Sequence, residues 1–119
     1  MARFRLAQPT RSDLVNILET SEERWGAEGR LLYTKLLAPG MRTVAANPDG
    51  PLAQPRNELS PGIRSFHLRH SRIDARQPKV KKPVHVLYYR VIHPGTIEIV
   101  RILHERMEPS RHLGAAADE

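Results

Sequence analysis

The run Val84-His85-Val86-Leu87-Tyr88-Tyr89-Arg90-Val91-Ile92, the turn His93-Pro94-Gly95-Thr96 and the run from Thr96 through Ile97-Glu98-Ile99-Val100-Arg101-Ile102 to Leu103 decide how this 119-residue chain folds. β-branched and aromatic residues fill both runs, and apolar side chains occupy both faces of the first, as in a strand covered on two sides. Pro-Gly between them is turn chemistry, so the pair reads as an antiparallel hairpin at the centre of a sheet. Upstream, Ile63 to Leu68 reads as another strand, with Phe66 and Leu68 on one face.

At the N-terminus, Arg3-Phe4-Arg5-Leu6 alternates polar and apolar residues, the period of a half-buried strand. Thr10 and Asp13 have the spacing of a capping box, and Pro9 suits a first helical turn. Leu14, Ile17, Leu18, Ser21 and Trp25 then share one helical face. Gly26 suits a helix end, so a second helix follows from about Ala27, burying Leu32, Leu36, Leu37, Met41, Val44 and Ala45. The two form a helical hairpin. Pro39-Gly40 falls inside the second helix, where proline removes an amide hydrogen bond and costs about 3 kcal/mol, so a kink or break is expected there. Asn47 to Gly62, rich in Pro, Gly, Asn and Asp, is a surface connection. The expected class is α+β, a helical hairpin packed on a small twisted antiparallel sheet in the order β-α-α-β-β-β. Residues 1–119 suit a single domain of this size. Pro109 and Ser110 start a final helical turn that includes Leu113, in a C-terminal tail (108–119) whose last residues should fray.

Composition narrows the function. The absence of cysteine removes disulfides, thiolate metal sites and cysteine nucleophiles. No stretch reaches the roughly 20 apolar residues of a membrane span, and the first twenty residues contain no signal-peptide core, so a cytoplasmic protein without membrane contact is expected. The net charge of +6 is concentrated: Arg69, Arg72, Arg76, Lys79, Lys81 and Lys82 face only Asp74 in a basic insertion (69–83) that reads as a solvated loop or a protruding arm. No metal or other cofactor is indicated. His67 and His70 are three apart at a strand end, where that spacing does not converge, and no Gly-x-Ser-x-Gly elbow is present.

Five segments in series carry a family likeness. They are the Arg3-Phe4-Arg5-Leu6 opening with Glu23-Arg24-Trp25-Gly26, the loop Ala46-Asn47-Pro48, Pro55-Arg56-Asn57-Glu58-Leu59 leading to Gly62-Ile63-Arg64-Ser65-Phe66, Val86 to Val91, and Ile97 through Leu103-His104-Glu105-Arg106-Met107. Together they resemble ParE-type toxins of the ParE/RelE superfamily, which belong to type II toxin–antitoxin systems. The resemblance implies a plasmid-stabilisation type of toxin neutralised by a ParD-like antitoxin. It also implies DNA gyrase as the target, and DNA contact only indirectly, through the antitoxin complex. The longer 69–83 connection and Pro39-Gly40 depart from simpler members, so an inactive relative is one alternative.

The other alternative is the RelE-like one, an endoribonuclease cleaving messenger RNA. That chemistry needs a base, an acid and cations converging on one phosphate. Arg64, Arg90, Arg101 and His104 are the residues for it, if they gather at one end of the sheet with His67 or His85. Arg90 and Arg101 serve equally as structural partners of Glu98 or Glu105. The favoured reading is non-catalytic: Arg101, His104 and Arg106 contact the target, and Leu14, Leu18, Trp25, Leu32, Tyr33, Leu36, Arg56 and Arg64 receive an amphipathic antitoxin helix.

Overall fold

The computed structural model describes residues 3–71 and 83–117. Of the basic insertion, residues 72–82 lie outside the described residues, as do 118–119 of the tail. The chain runs through β1 (Arg3–Leu6), α1 (Gln8–Ala46), β2 (Gln54–Pro55), β3 (Arg64–His67), a 3-10 helix (Leu68–Ser71), β4 (His85–His93), β5 (Thr96–His104) and α2 (Ser110–Ala117). The α+β architecture and the helical hairpin match the expectation from sequence.

A straight helix of 39 residues would be about 58 Å long, yet the longest dimension of the molecule is 37 Å. The reversal is at Gly26, with φ 74° and ψ −173°, a region of backbone space essentially reserved for glycine. Pro39-Gly40, where a kink or break was expected, does not break the helix: Gly26 alone has non-helical φ and ψ within α1. The 3-10 helix packs against this stretch. Ser71 Oγ donates to the Leu36 carbonyl (3.0 Å) in the turn that Pro39 disturbs. Gly40 lets the Leu68 side chain come so close that a Cβ there would lie 2.9 Å from it.

The sheet order is β1-β5-β4-β3-β2. β4 and β5 form the expected antiparallel hairpin, and β3 pairs antiparallel with β4. The sheet is mixed rather than wholly antiparallel, because β1 runs parallel to β5, with Phe4 opposite Ile97 and Leu6 opposite Ile99. Tyr89 faces Ile99 whereas Tyr88 faces Arg101, so Val100 is an extra residue that bulges β5. One face of the sheet packs Phe66, Leu87, Tyr89, Ile97, Ile99 and Ile102 against Leu36, Leu37, Met41 and Val44 of α1. The other face gathers Ile63, Tyr88, Val100 and Leu103 beneath Leu113 of α2. The expected C-terminal helix is therefore present, and its role is to cover the second face.

β1 ends at Leu6, which leaves the outer edge of β5 without a strand beyond Ile99. The start of α1 occupies that edge. Ala7 N–H and the fully buried Thr10 Oγ1 both donate to the Ile99 carbonyl, at 3.1 and 2.6 Å, and Asp13 Oδ2 accepts from Ile102 N–H at 2.9 Å. Thr10 and Asp13 thus serve the sheet instead of forming the capping box suggested by their spacing. Ala7 holds the N-cap position and makes no side-chain cap bond.

Candidate protein-docking site

The arginines proposed for phosphate chemistry each turn to a partner of their own. Arg101 donates through Nε and Nη2 to the two oxygens of Asp13, both at 2.8 Å, and through Nη1 to the His112 carbonyl at 3.0 Å. It therefore ties β5 to both helices, and the Asp13 bond raises its pKa further. Arg90 donates to Glu98 Oε1 from Nε and Nη2 (3.2 and 2.8 Å), while Arg5 Nε reaches Glu98 Oε2 at 3.0 Å. Glu98, 8% exposed, is thus balanced by two guanidiniums, which is what a buried carboxylate requires. Arg64 donates to the Ala53 carbonyl at 3.3 Å and lies 3.8 Å from Asp49. Its buried Nε has no hydrogen-bond partner. Arg64, Arg90 and Arg101 are consequently not gathered around one free phosphate-sized space. Of the ion pairs anticipated for them, Arg90 with Glu98 is present, and Arg101 pairs with Asp13 rather than with either glutamate named beforehand.

The histidines do come together. His85 and His104 are register partners on β4 and β5, their rings edge to face at 5.6 Å between centroids. The Tyr33 hydroxyl of α1 is hydrogen-bonded to His85 Nδ1. On β3, His67 Nε2 contacts Glu105 at 2.6 Å. Burial, with His104 as a smaller influence, pushes the His85 pKa down to about 4, and burial pushes Tyr33 up to about 12. A proton-transfer pair is most effective when its pKa values lie near the working pH. These two move away from neutrality in opposite directions, which suits a fixed bond between helix and sheet: near neutral pH the tyrosine keeps its proton and the imidazole stays uncharged.

The residues expected to receive an antitoxin helix do not form one surface. Tyr33 and Leu36 are 7% and 5% exposed, within the core. Leu14 and Leu18 are partly buried against that core, and Leu32 is half-buried. Trp25 stands at the hairpin tip. Arg56 and Arg64 lie towards the β2–β3 side of the sheet, far along the strand order from β1. Arg56 lies over the Tyr88 ring at 5.7 Å from its centroid and bonds to Glu58 at 2.7 Å. Among the residues expected to meet a target, Arg101 is committed to Asp13. His104 Nδ1 accepts from Arg106 N–H at 3.1 Å, and Arg106 is exposed.

A different surface is open. Arg3, Phe4, Arg42 and Ala45 line a cleft of about 510 Å³ between β1 and the end of α1. β1 is an edge strand with one side unpaired, and Phe4 is 37% exposed. Neither Arg3 nor Arg42 has an ion pair among the described residues. An apolar floor, two unpaired cations and a free strand edge together suit an extended or helical segment bearing carboxylates. Sequence reading passed over this site. Its one signal is Arg42, a cation set between the buried Met41 and Val44.

Comparison with known proteins gives a consistent result. The family described as "ParE toxin of type II toxin-antitoxin system, parDE" matches residues 4–109. Toxin ParE1 of Mycobacterium tuberculosis (strain CDC 1551 / Oshkosh) is 30% identical over 112 residues, covering 94% of this chain and 98% of that protein. Toxin ParE1 of Caulobacter vibrioides is 31% identical over 114 residues, covering 96% and 100%. Among solved structures, a chain described as "Chromosomal ParDE TA system from P. aeruginosa" is similar with a TM-score of 0.64 at 16% identity, covering 87% of this chain and 95% of that one. That last likeness concerns the fold alone.

Proposed function

The chain belongs to the ParE toxin family of type II toxin–antitoxin systems, and from that premise we propose that it inhibits DNA gyrase by docking on it and is neutralised by a ParD-like antitoxin in the cytoplasm. The observation that carries the antitoxin half is the cleft of Arg3, Phe4, Arg42 and Ala45 beside the unpaired edge of β1. Acidic side chains of the antitoxin neutralise the two arginines while its apolar residues cover Phe4. DNA is met only indirectly, through the antitoxin complex.

The docking half is favoured by the engagement of Arg90 and Arg101 with buried carboxylates. Neither is free to stabilise a pentacovalent phosphate, which needs preorganised, uncommitted cations. The deciding experiment adds the purified chain to a gyrase supercoiling reaction and, separately, to a translating extract with its messenger RNA followed on a gel. Loss of supercoiling with intact RNA is expected. Defined RNA cuts with supercoiling unaffected would replace this reading with ribonuclease action. Addition of the antitoxin should restore supercoiling, and should fail to do so for a chain carrying Arg42→Glu.

A further inference from the structure

No residue between Glu22 and Leu32 is buried, so nearly three helical turns of the hairpin stand clear of the core. At the summit Trp25, the single tryptophan in the sequence, is 72% exposed. An indole held in water is unfavourable by itself, and tryptophan is among the residue types that most often anchor protein interfaces. The Trp25 stem lies against the returning helix. A Cβ on Gly29 would lie 2.1 Å from Trp25 Cβ and 3.1 Å from its Cγ, so the stem already fills the space a side chain on the returning helix would take. Arg30 bridges back to Glu22 at 3.7 Å across the turn.

The charge around it is the reverse of the rest of the surface. Glu22, Glu23 and Glu28 are exposed on the tip, with exposed Glu19 just below it, against only Arg24 and Arg30, in a chain whose net charge is +6. Nucleic acid and acidic proteins are repelled by such a collar. A basic protein surface is attracted.

The geometry points to a second docking surface, in which Trp25 inserts into an apolar pocket on a basic face of the toxin's target protein while the cationic cleft beside β1 is left to the antitoxin. This rests on the reading of the chain as a toxin that acts by protein docking. It assigns the two partners to two patches of opposite charge.

The test uses full-length wild type, Trp25→Ala and the double variant Glu22→Lys/Glu23→Lys. Each is measured for growth inhibition on induction without antitoxin, inhibition of purified gyrase, antitoxin affinity by calorimetry, and melting by circular dichroism. Trp25→Ala should need at least tenfold more protein for half-inhibition of gyrase, with antitoxin affinity within twofold and an unchanged melt. The charge-reversed variant should lose potency as well. Full potency of Trp25→Ala would overturn the inference while leaving the proposed function standing. If wild type stops growth yet leaves gyrase untouched, the proposed target falls, and the same variants decide the tip through growth alone. A wild type inert in both assays removes the target and the inference with it. Sedimentation showing a dimer that Trp25→Ala abolishes would make the occupant a second copy of this chain and would overturn the inference too.

Discussion

Asp13 and Arg101 stand 88 positions apart in the chain and meet through two hydrogen bonds of 2.8 Å, and the same carboxylate also receives the backbone N–H of Ile102. With side chains only 11% and 20% exposed, the pair is shielded from solvent, and it holds α1 along the strandless part of β5. Breaking such a pair differs from deleting a surface ion pair, because the carboxylate left behind remains buried.

Arg101→Ala is therefore expected to destabilise the fold by about 3 kcal/mol, seen as a lower urea midpoint with an unchanged m-value. Toxicity and antitoxin binding should fall together. Asp13→Asn, which keeps an acceptor for Ile102 N–H, should cost less. Full stability of Arg101→Ala would show the pair to be dispensable.

Tyr33 and His85 give a pH dependence whose sign follows from burial. His85 takes up a proton near pH 6.5 when unfolded, but only at about 4 when folded. Between those values the unfolded chain binds more protons, so stability is complete above pH 6.5 and declines as pH falls towards 4. The expected loss is on the order of 3 kcal/mol. Thermal melts at pH 7.5 and pH 5 should diverge more for wild type than for His85→Gln. Equal divergence would remove His85 as the source.

Gly26 adopts a backbone conformation closed to other residues, while nothing lies within 4 Å of the place where its Cβ would be. Gly26→Ala should thus lose about 1–3 kcal/mol through backbone strain alone, without a steric clash. Calorimetric melting of the variant checks this: a melt equal to wild type would mean that the hairpin turn relaxes freely.

The cleft beside β1 predicts strongly salt-dependent binding. Arg3→Glu and Arg42→Glu should each weaken the antitoxin complex by at least tenfold, about 1.4 kcal/mol, and reduce its sensitivity to salt. Calorimetry at low and high salt measures both. An unaltered affinity for the pair of variants would place the antitoxin elsewhere.

The parts of the fold legible in the sequence were those written in local patterns. The β4–β5 hairpin is a pair of β-rich runs around Pro94-Gly95, and the helical reversal is a single glycine after an apolar stripe. The parallel pairing of β1 with β5 was not legible, since a period of two says which face is buried and nothing about which strand lies alongside. Pro39-Gly40 misled for a related reason: the segment packed against that turn is distant in sequence, Ser71 lying 35 residues from Leu36. The site was less legible still. Leu36 is expected both on the buried stripe of the second helix and in an antitoxin groove, and Tyr33 in the groove alone; both lie in the core. Arg101 looks like a free cation until Asp13, assigned by its spacing to a helix cap, is found beside it.

Because Arg3–Leu6 finds its neighbour in Thr96–Ile99, β1 can join the sheet only after the whole stretch between them has been made. At synthesis rates of about 5–20 residues per second, that interval is roughly 5–20 s. Throughout it, the rim strand that borders the proposed antitoxin cleft does not exist as a rim. On the proposed reading, a nascent chain therefore offers an antitoxin nothing to grip there until β5 has been made and paired.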